Sequence, residues 1–219
     1  MSETYSYIFW ALLDATYTTI GITVGAAILG LALGFLVALA RLYGPGWLRA
    51  VAVVYVEAFR NTPILVQLFL IYFGLVPLGV QVGPMTAAVV GLGLNGAALV
   101  SEVFRSSILA VDRGQTEAGV AIGLTPAATL FLIVVPQSLR IAIPSLGNFT
   151  VSLMKDTSLA SAVAVTELSF RARNLVSETF LSTEIYLLVA LIYLVLGIPV
   201  AAFFEQLRKS YEVEGNRHA

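Results

Sequence analysis

Between Ala15 and Ala40 the chain carries no charged side chain, and neither do the stretches Asn61–Ser101, Ala118–Leu139 and Ile185–Phe204. No other feature limits the fold as tightly. A run without a polar face can lie in lipid or deep inside a large protein, but it cannot be the surface of a small soluble globule. The chain has 219 residues, 58% of them hydrophobic and only 11% charged, with mean hydropathy +0.91. Soluble domains carry about a quarter charged residues, so there is too little polar side chain here to solvate a globule. The bilayer must be the solvent.

At 1.5 Å per residue, Ala15–Ala40 makes about 39 Å of helix, enough to cross a hydrocarbon core of about 30 Å. It ends at Arg41, before a turn with interfacial aromatics, Tyr43-Gly44-Pro45-Gly46-Trp47. The first apolar run is too long for the core of a signal peptide and no Lys or Arg precedes it, so Ala38-Leu39-Ala40 is read as retained sequence rather than a cleavage site. Asn61–Ser101 is too long for one crossing. Pro77, Gly79, Gly83 and Pro84 divide it into two spans, with Glu102 and Arg105 near the end of the second of these.

Ala118–Leu139 is shorter than it looks. Its strongly apolar part is Ala127–Val135, bounded by Pro126 and Pro136, which suits a helix at the interface or buried in protein. Thr125-Pro126 reads as an N-cap followed by proline in the first turn. The next crossing is expected from about Ile141 to Val165, interrupted by Lys155-Asp156, and the last from Ile185 to Phe204. That makes five crossings; a sixth follows only if Ala118–Leu139 also crosses. Placing the Gly44 turn, the Arg113–Arg140 stretch and the C-terminus in the cytoplasm gathers Arg41, Arg49, Arg113, Arg140, Arg208, Lys209 and Arg217 there. The other face keeps Arg171 and Arg173, with Lys155 near the membrane. The positive-inside bias thus predicts N-terminus outside and C-terminus inside. No repeat or linker divides the chain, which is read as one domain over 1–219.

One segment has the spacing of a motif. Glu117-Ala118-Gly119-Val120-Ala121-Ile122-Gly123 is followed, after nine residues, by Ile133-Val134-Val135-Pro136. This resembles the signature loop of ABC importer permeases: Glu-Ala-Ala, three residues, Gly, nine residues, Ile, one residue, Leu-Pro. Gly119 stands for the second alanine and Val135 for the leucine. Glu57-Ala58-Phe59-Arg60-Asn61-Thr62-Pro63-Ile64-Leu65-Val66-Gln67 and Lys155-Asp156-Thr157-Ser158-Leu159-Ala160-Ser161 are similar to stretches of the polar amino-acid permeases, the histidine, glutamine, arginine, glutamate and opine systems. The likeness runs from about Thr18 to Arg208. It implies an all-α integral membrane protein of the type I importer class, with five transmembrane helices and a cytoplasmic coupling helix. It also implies a homo- or heterodimer of permeases, two cytoplasmic ATPase subunits that bind the ATP and magnesium, and an extracytoplasmic binding protein that delivers the amino acid. The bacterial inner membrane is the location implied.

The residue types fit such a docking loop. Small side chains at Ala118, Gly119 and Ala121 allow close approach of two backbones, Gly123 sits where a short helix must stop, and Glu117 is expected in the first turn, against the helix dipole. The candidate substrate path comprises Gln67, Glu102, Lys155, Asp156, Thr157 and Ser158. Glu102 and Arg105 share a helix face, and an ion pair is the preferred reading over a cavity carboxylate. Adjacent Lys155 and Asp156 cannot face each other on a helix, and cavity lining or locking between spans is preferred for them. Gln67 is assigned rather to packing than to substrate. Gly21, Gly25, Gly30 and Gly34 are read as helix-packing positions. With no cysteine and a single histidine, His218 in the polar tail, neither a metal site nor a nucleophilic dyad is expected. No phosphate-binding Gly-rich loop occurs, so ATP is expected on another chain. A net charge of −1 offers no basic surface for nucleic acid. The competing reading is a secondary transporter or channel acting alone, with Lys155, Asp156 and Glu102 as ion relays. Five spans, no inverted repeat and the loop spacing count against it.

Overall fold

The computed structural model describes residues 2–215; Arg217 and His218 lie outside the described residues. Every regular element among the described residues is helical, as a bilayer requires of backbone that must satisfy its own hydrogen bonds. Helix α1 covers Ser2–Tyr43, α2 Gly46–Asn61, α3 Ile64–Tyr72, α4 Pro84–Leu109 and α5 Arg113–Ala121. The chain continues through α6 (Pro126–Thr129), a π-turn at Leu130–Val134 and α7 (Val135–Asp156). A 3₁₀ turn over Thr157–Val163 leads to α8 (Leu168–Thr179), and α9 covers Ser182–Gly215. Four helical segments are long and apolar enough to cross a membrane, and a fifth crossing arises if α2 and the segment Ile64–Leu78, bent by 108° at their junction, count as one broken span.

The centre of the bundle is the pair α1 and α4, which run parallel. Gly21 faces Met85, Gly25 faces Val89, Gly30 faces Gly93 and Gly96, and Gly34 faces Ala97 and Val100. At Gly34 a Cβ would stand 2.9 Å from the Ala97 carbonyl oxygen, so the two backbones approach only because that position has no side chain. The four glycines expected to pack helices do so. Helix α7 crosses α4 antiparallel, with the Phe149 ring over Gly96, and α9 returns antiparallel to α7, with Phe204 over Gly147. The N-terminal turns of α1 leave this core and pack against α8 and α9 through Ile8, Leu12, Leu168, Leu175 and Ile185.

Three expectations need correction. The second span does not start at Asn61: Pro63 removes an amide donor and restricts Thr62, so α2 ends at Asn61, α3 restarts at a steep angle, and the crossing is the broken pair that begins at Gly46. The stretch Ala118–Leu139 is not one short interfacial helix, and the fourth crossing does not begin near Ile141. Its first part belongs to α5, and from Pro126 the chain is helical without a break to Asp156. Pro136 does not end this helix because the preceding π-turn, closed by Val135 N–H to the Leu130 carbonyl, changes the register where proline would clash with the previous turn. Lys155 and Asp156 accordingly do not interrupt a span midway; they are the last two residues of α7.

Candidate functional site

Helix α5 starts earlier than the motif suggests. Asp112 is its N-cap, its side chain accepting from the Gly114 amide at 2.7 Å, so Glu117 lies past the first turn and it is Asp112 that faces the dipole. The helix stops in a Schellman arrangement: the Gly123 amide donates to the Val120 carbonyl (2.9 Å) and the Leu124 amide to that of Gly119 (3.0 Å), with Gly123 at φ +87°. Thr125 then caps α6, accepting from the Ala128 amide at 3.2 Å, as its sequence position suggests.

Only Gly119 of this loop is buried, against Thr129 and Ile133. A Cβ on Gly119 would come within 2.7 Å of Thr129 Cγ2. Ala118 and Ala121 do not share that contact. They point outward beside Val120 and Ile122, which are 55% and 76% exposed. A short polar-flanked helix thus presents uncovered apolar side chains, held to the root of the helix that runs to Asp156 by the Gly119 contact and by a hydrogen bond from Gln137 Nε2 to Gln115 Oε1 at 3.1 Å. Glu117 is exposed on the same element.

At the other end of α7, Leu153 packs with Ile22, Ala26 and Leu92, residues from within the apolar stretches of α1 and α4, so Lys155 and Asp156 sit inside the bundle's apolar depth. Both are exposed on this chain, and neither is in an ion pair among the described residues. Lys155 and half-buried Ser158 share a groove of about 660 Å³ between α7 and α9 with Ser169 and Tyr193. Thr157 is fully buried, and its hydroxyl donates to the Met154 carbonyl at 2.7 Å, a structural bond.

The remaining polar candidates are engaged elsewhere. Gln67, 6% exposed, donates through Nε2 to the Phe59 and Thr62 carbonyls (2.8 and 2.9 Å), and its Oε1 accepts from Asn95 Nδ2 (3.2 Å). It therefore satisfies carbonyls that the broken span leaves without helical partners, which is the packing role. Glu102 does pair with Arg105, at 2.9 Å, but Arg41 lies closer at 2.5 Å and Arg60 stands at 3.5 Å, so one carboxylate ties α1, α2 and α4 together.

Sequence reasoning passed over Glu167. It is completely buried, caps α8 through its two oxygens to the Ser169 and Phe170 amides (2.9 and 2.7 Å) and accepts from the Tyr193 hydroxyl at 3.3 Å. Burial raises its carboxyl above the usual 4.5, against the lowering pull of those bonds. The available signal was an acidic residue directly before the helical run Leu168–Thr179, where a cap is needed.

Comparison with known proteins gives a consistent family. The profile of the "Binding-protein-dependent transport system inner membrane component" matches residues 30–213. The L-cystine transport system permease protein TcyB of Bacillus subtilis is 45% identical over 168 residues, covering 76% of this chain and 72% of that protein. The glutamine transport system permease protein GlnP of Escherichia coli K12 is 34% identical over 206 residues, covering 92% and 93%. Among solved structures, an amino acid ABC transporter crystallised with histidines superposes with TM-score 0.85 at 31% identity, over 94% of this chain and 95% of that one. The MetNI methionine ABC transporter, at 19% identity and TM-score 0.75 over 92% and 96%, shares the fold.

Proposed function

The chain belongs to the family of binding-protein-dependent transport system inner membrane components, and from that premise we propose that it is the permease subunit of an ATP-driven importer of polar amino acids. The observation that carries this reading is α5: an exposed surface of small and apolar side chains, Ala118, Val120, Ala121 and Ile122, on a loop whose Schellman stop, Gly119 contact and Gln115–Gln137 hydrogen bond fix its position against the chain's own helices. Such a surface suits a groove on a cytoplasmic ATPase. Two ATPase subunits would bind the ATP and magnesium, and each would take one α5 from a homo- or heterodimer of permeases. Displacement of α5 would reach α6 and α7 through Gly119 and Thr129. An extracytoplasmic binding protein would deliver substrate on the side of α8.

The proposed orientation in the bacterial cytoplasmic membrane puts the N-terminus outside and the C-terminus inside. The substrate path is assigned to the free charges at the end of α7. Lys155 with Ser158 offers a cation and a hydroxyl to a carboxylate, and Asp156 offers an anion to an ammonium; an amino acid carries both groups. Relatives named for cystine and glutamine transport support the substrate class.

The test is co-purification of the tagged chain with an ATPase encoded beside it, followed by reconstitution with the neighbouring binding protein. The expected result is amino-acid uptake that requires ATP. Uptake driven by a proton or sodium gradient with no ATPase present would overturn this reading in favour of a transporter acting alone.

A further inference from the structure

An open apolar groove lies between α1 and α2, away from the α7 groove. It measures about 700 Å³ and is walled by Leu36, Val37 and Ala40 on α1 and Leu48, Val51 and Ala52 on α2. That volume is in the range of sites for one small ligand, about 300–1,000 Å³. Its wall on α1 extends from Leu33 to Tyr43, which is about 16 Å of helix, close to the depth of one leaflet, half of about 30 Å. The groove closes at Tyr43-Gly44-Pro45-Gly46-Trp47, where Tyr43 and Trp47 are 57% and 70% exposed, as residues at a membrane interface are.

A cation stands at this end of the two helices, next to lining Leu48. Arg49 is exposed, its Nη2 only grazing the Leu42 carbonyl at 3.5 Å, and it has no carboxylate partner among the described residues. The sequence holds no acidic residue between Asp14 and Glu57. The first turn of α2 points its amides the same way: Pro45 is the N-cap residue and supplies no side-chain acceptor. An open apolar groove one leaflet deep, with a guanidinium beside its interfacial end, matches one molecule in a bilayer.

We propose that the α1–α2 groove is a binding site for an anionic phospholipid, with an acyl chain between the two helices and the phosphodiester at Arg49 and the N-terminus of α2. Cytoplasmic-side basic pockets between transmembrane helices bind acidic headgroups. The site lies on the α5 side of the bundle, which is the inner leaflet in the orientation proposed above; the binding itself does not depend on that orientation or on the transport reading. A lipid there would wedge α2 against α1 beside the Arg41–Glu102 pair.

The experiment is native mass spectrometry of the purified transporter in detergent, titrated with phosphatidylglycerol and with phosphatidylcholine. Phosphatidylglycerol should be retained preferentially, and Arg49→Gln should weaken that retention about fivefold, the effect of one basic residue at a membrane surface. Lys209→Gln, a basic residue elsewhere on the chain, should leave it unchanged, and Ala52→Phe, which fills the groove, should abolish it. Equal retention of the two lipids, or unchanged phosphatidylglycerol binding in Arg49→Gln, overturns the proposal. So does a disulfide between two copies carrying Leu36→Cys, because then a second permease occupies the groove.

Discussion

Arg41, in the last turn of α1, places Nη1 2.5 Å from Oε1 of Glu102 on α4, sixty-one positions along the chain. The other oxygen of the same carboxylate accepts from Arg105 Nε at 2.9 Å, while Arg60 approaches at 3.5 Å from α2. Three cations on three helices therefore depend on one anion. Arg41 is the most enclosed of them, its side chain 12% exposed. Removing Glu102 would leave the enclosed Arg41 without its anion and beside two further guanidiniums, those of Arg60 and Arg105, which water partly screens.

Glu102→Gln should accordingly reduce the amount of assembled, folded transporter for every substrate alike, by about 1.5–3 kcal/mol for the lost charged hydrogen bonds. Uptake of lysine, glutamine and glutamate, each normalised to assembled protein, measures it. A selective loss of lysine uptake with normal assembly would instead assign Glu102 to the substrate path. Because Arg41 rather than Arg105 is the principal partner, exchanging Glu102 and Arg105 should rescue poorly, and exchanging Glu102 with Arg41 should rescue better.

The α5 loop gives a second prediction in two parts. Gly123→Val forces a β-branched residue to φ +87° in a place where a Cβ meets nothing within 4 Å, so its cost is backbone strain alone, about 1–2 kcal/mol. Gly119→Ala instead drives a methyl into Thr129 Cγ2. Both should leave insertion intact and depress substrate-stimulated ATP hydrolysis. Only Gly119→Ala should recover with Thr129→Ser, which deletes the obstructing methyl. Normal stimulation in either single variant would sink the assignment of α5 as the coupling element.

Orientation is testable without removing background thiols, since the chain has no cysteine. Gly79→Cys follows the 3₁₀ turn Val76–Leu78, and Gln115→Cys lies on exposed α5, at the opposite end of α4. An impermeant maleimide should label the first in intact cells and the second only after permeabilisation. The reverse pattern would invert the orientation.

Glu167 makes the stability of the α8 end of the bundle depend on pH. Its carboxyl titrates above 4.5 in the folded protein because burial disfavours the anion, so the folded state holds its proton more tightly than the unfolded state does. Stability from this group is therefore greatest below about 4.5 and declines as pH rises through the folded value. Glu167→Gln should flatten that decline in a melting-temperature profile while keeping part of the cap. Glu167→Ala should cost about 0.5–2 kcal/mol at every pH, because the Ser169 and Phe170 amides lose their acceptor. An unchanged slope in Glu167→Gln would show that another group controls it.

The membrane class, the helical content, the α1 glycines and the left-handed stop at Gly123 were legible in the sequence, because each depends on properties of a single segment. A residue such as Gly123 is required by its own backbone, and an uncharged run such as Ala15–Ala40 is required by its own solvent. The family likeness was legible for a related reason: the spacing from Glu117 to Pro136 is a local pattern. The sequence also marked Lys155 and Asp156 as charges without a local partner.

What one segment does to another was not legible. Hydropathy could not show that the π-turn carries the helix past Pro136, because the turn answers a steric clash within a helix whose apolar pattern continues. The motif suggested Glu117 for the dipole, but the true helix start at Asp112 set which carboxylate faces it. Glu102 had an obvious neighbour three residues on, yet its closest partner is Arg41, brought there by the parallel packing of α1 on α4. Gln67, Asn95 and Glu167 took their roles from carbonyls and amides that only the folded chain leaves without partners. The sequence determined what each segment is in a bilayer, since that depends on the segment and its solvent. The tertiary structure decided which charges and polar groups are satisfied and which stay free, since a partner distant in sequence is supplied only by packing.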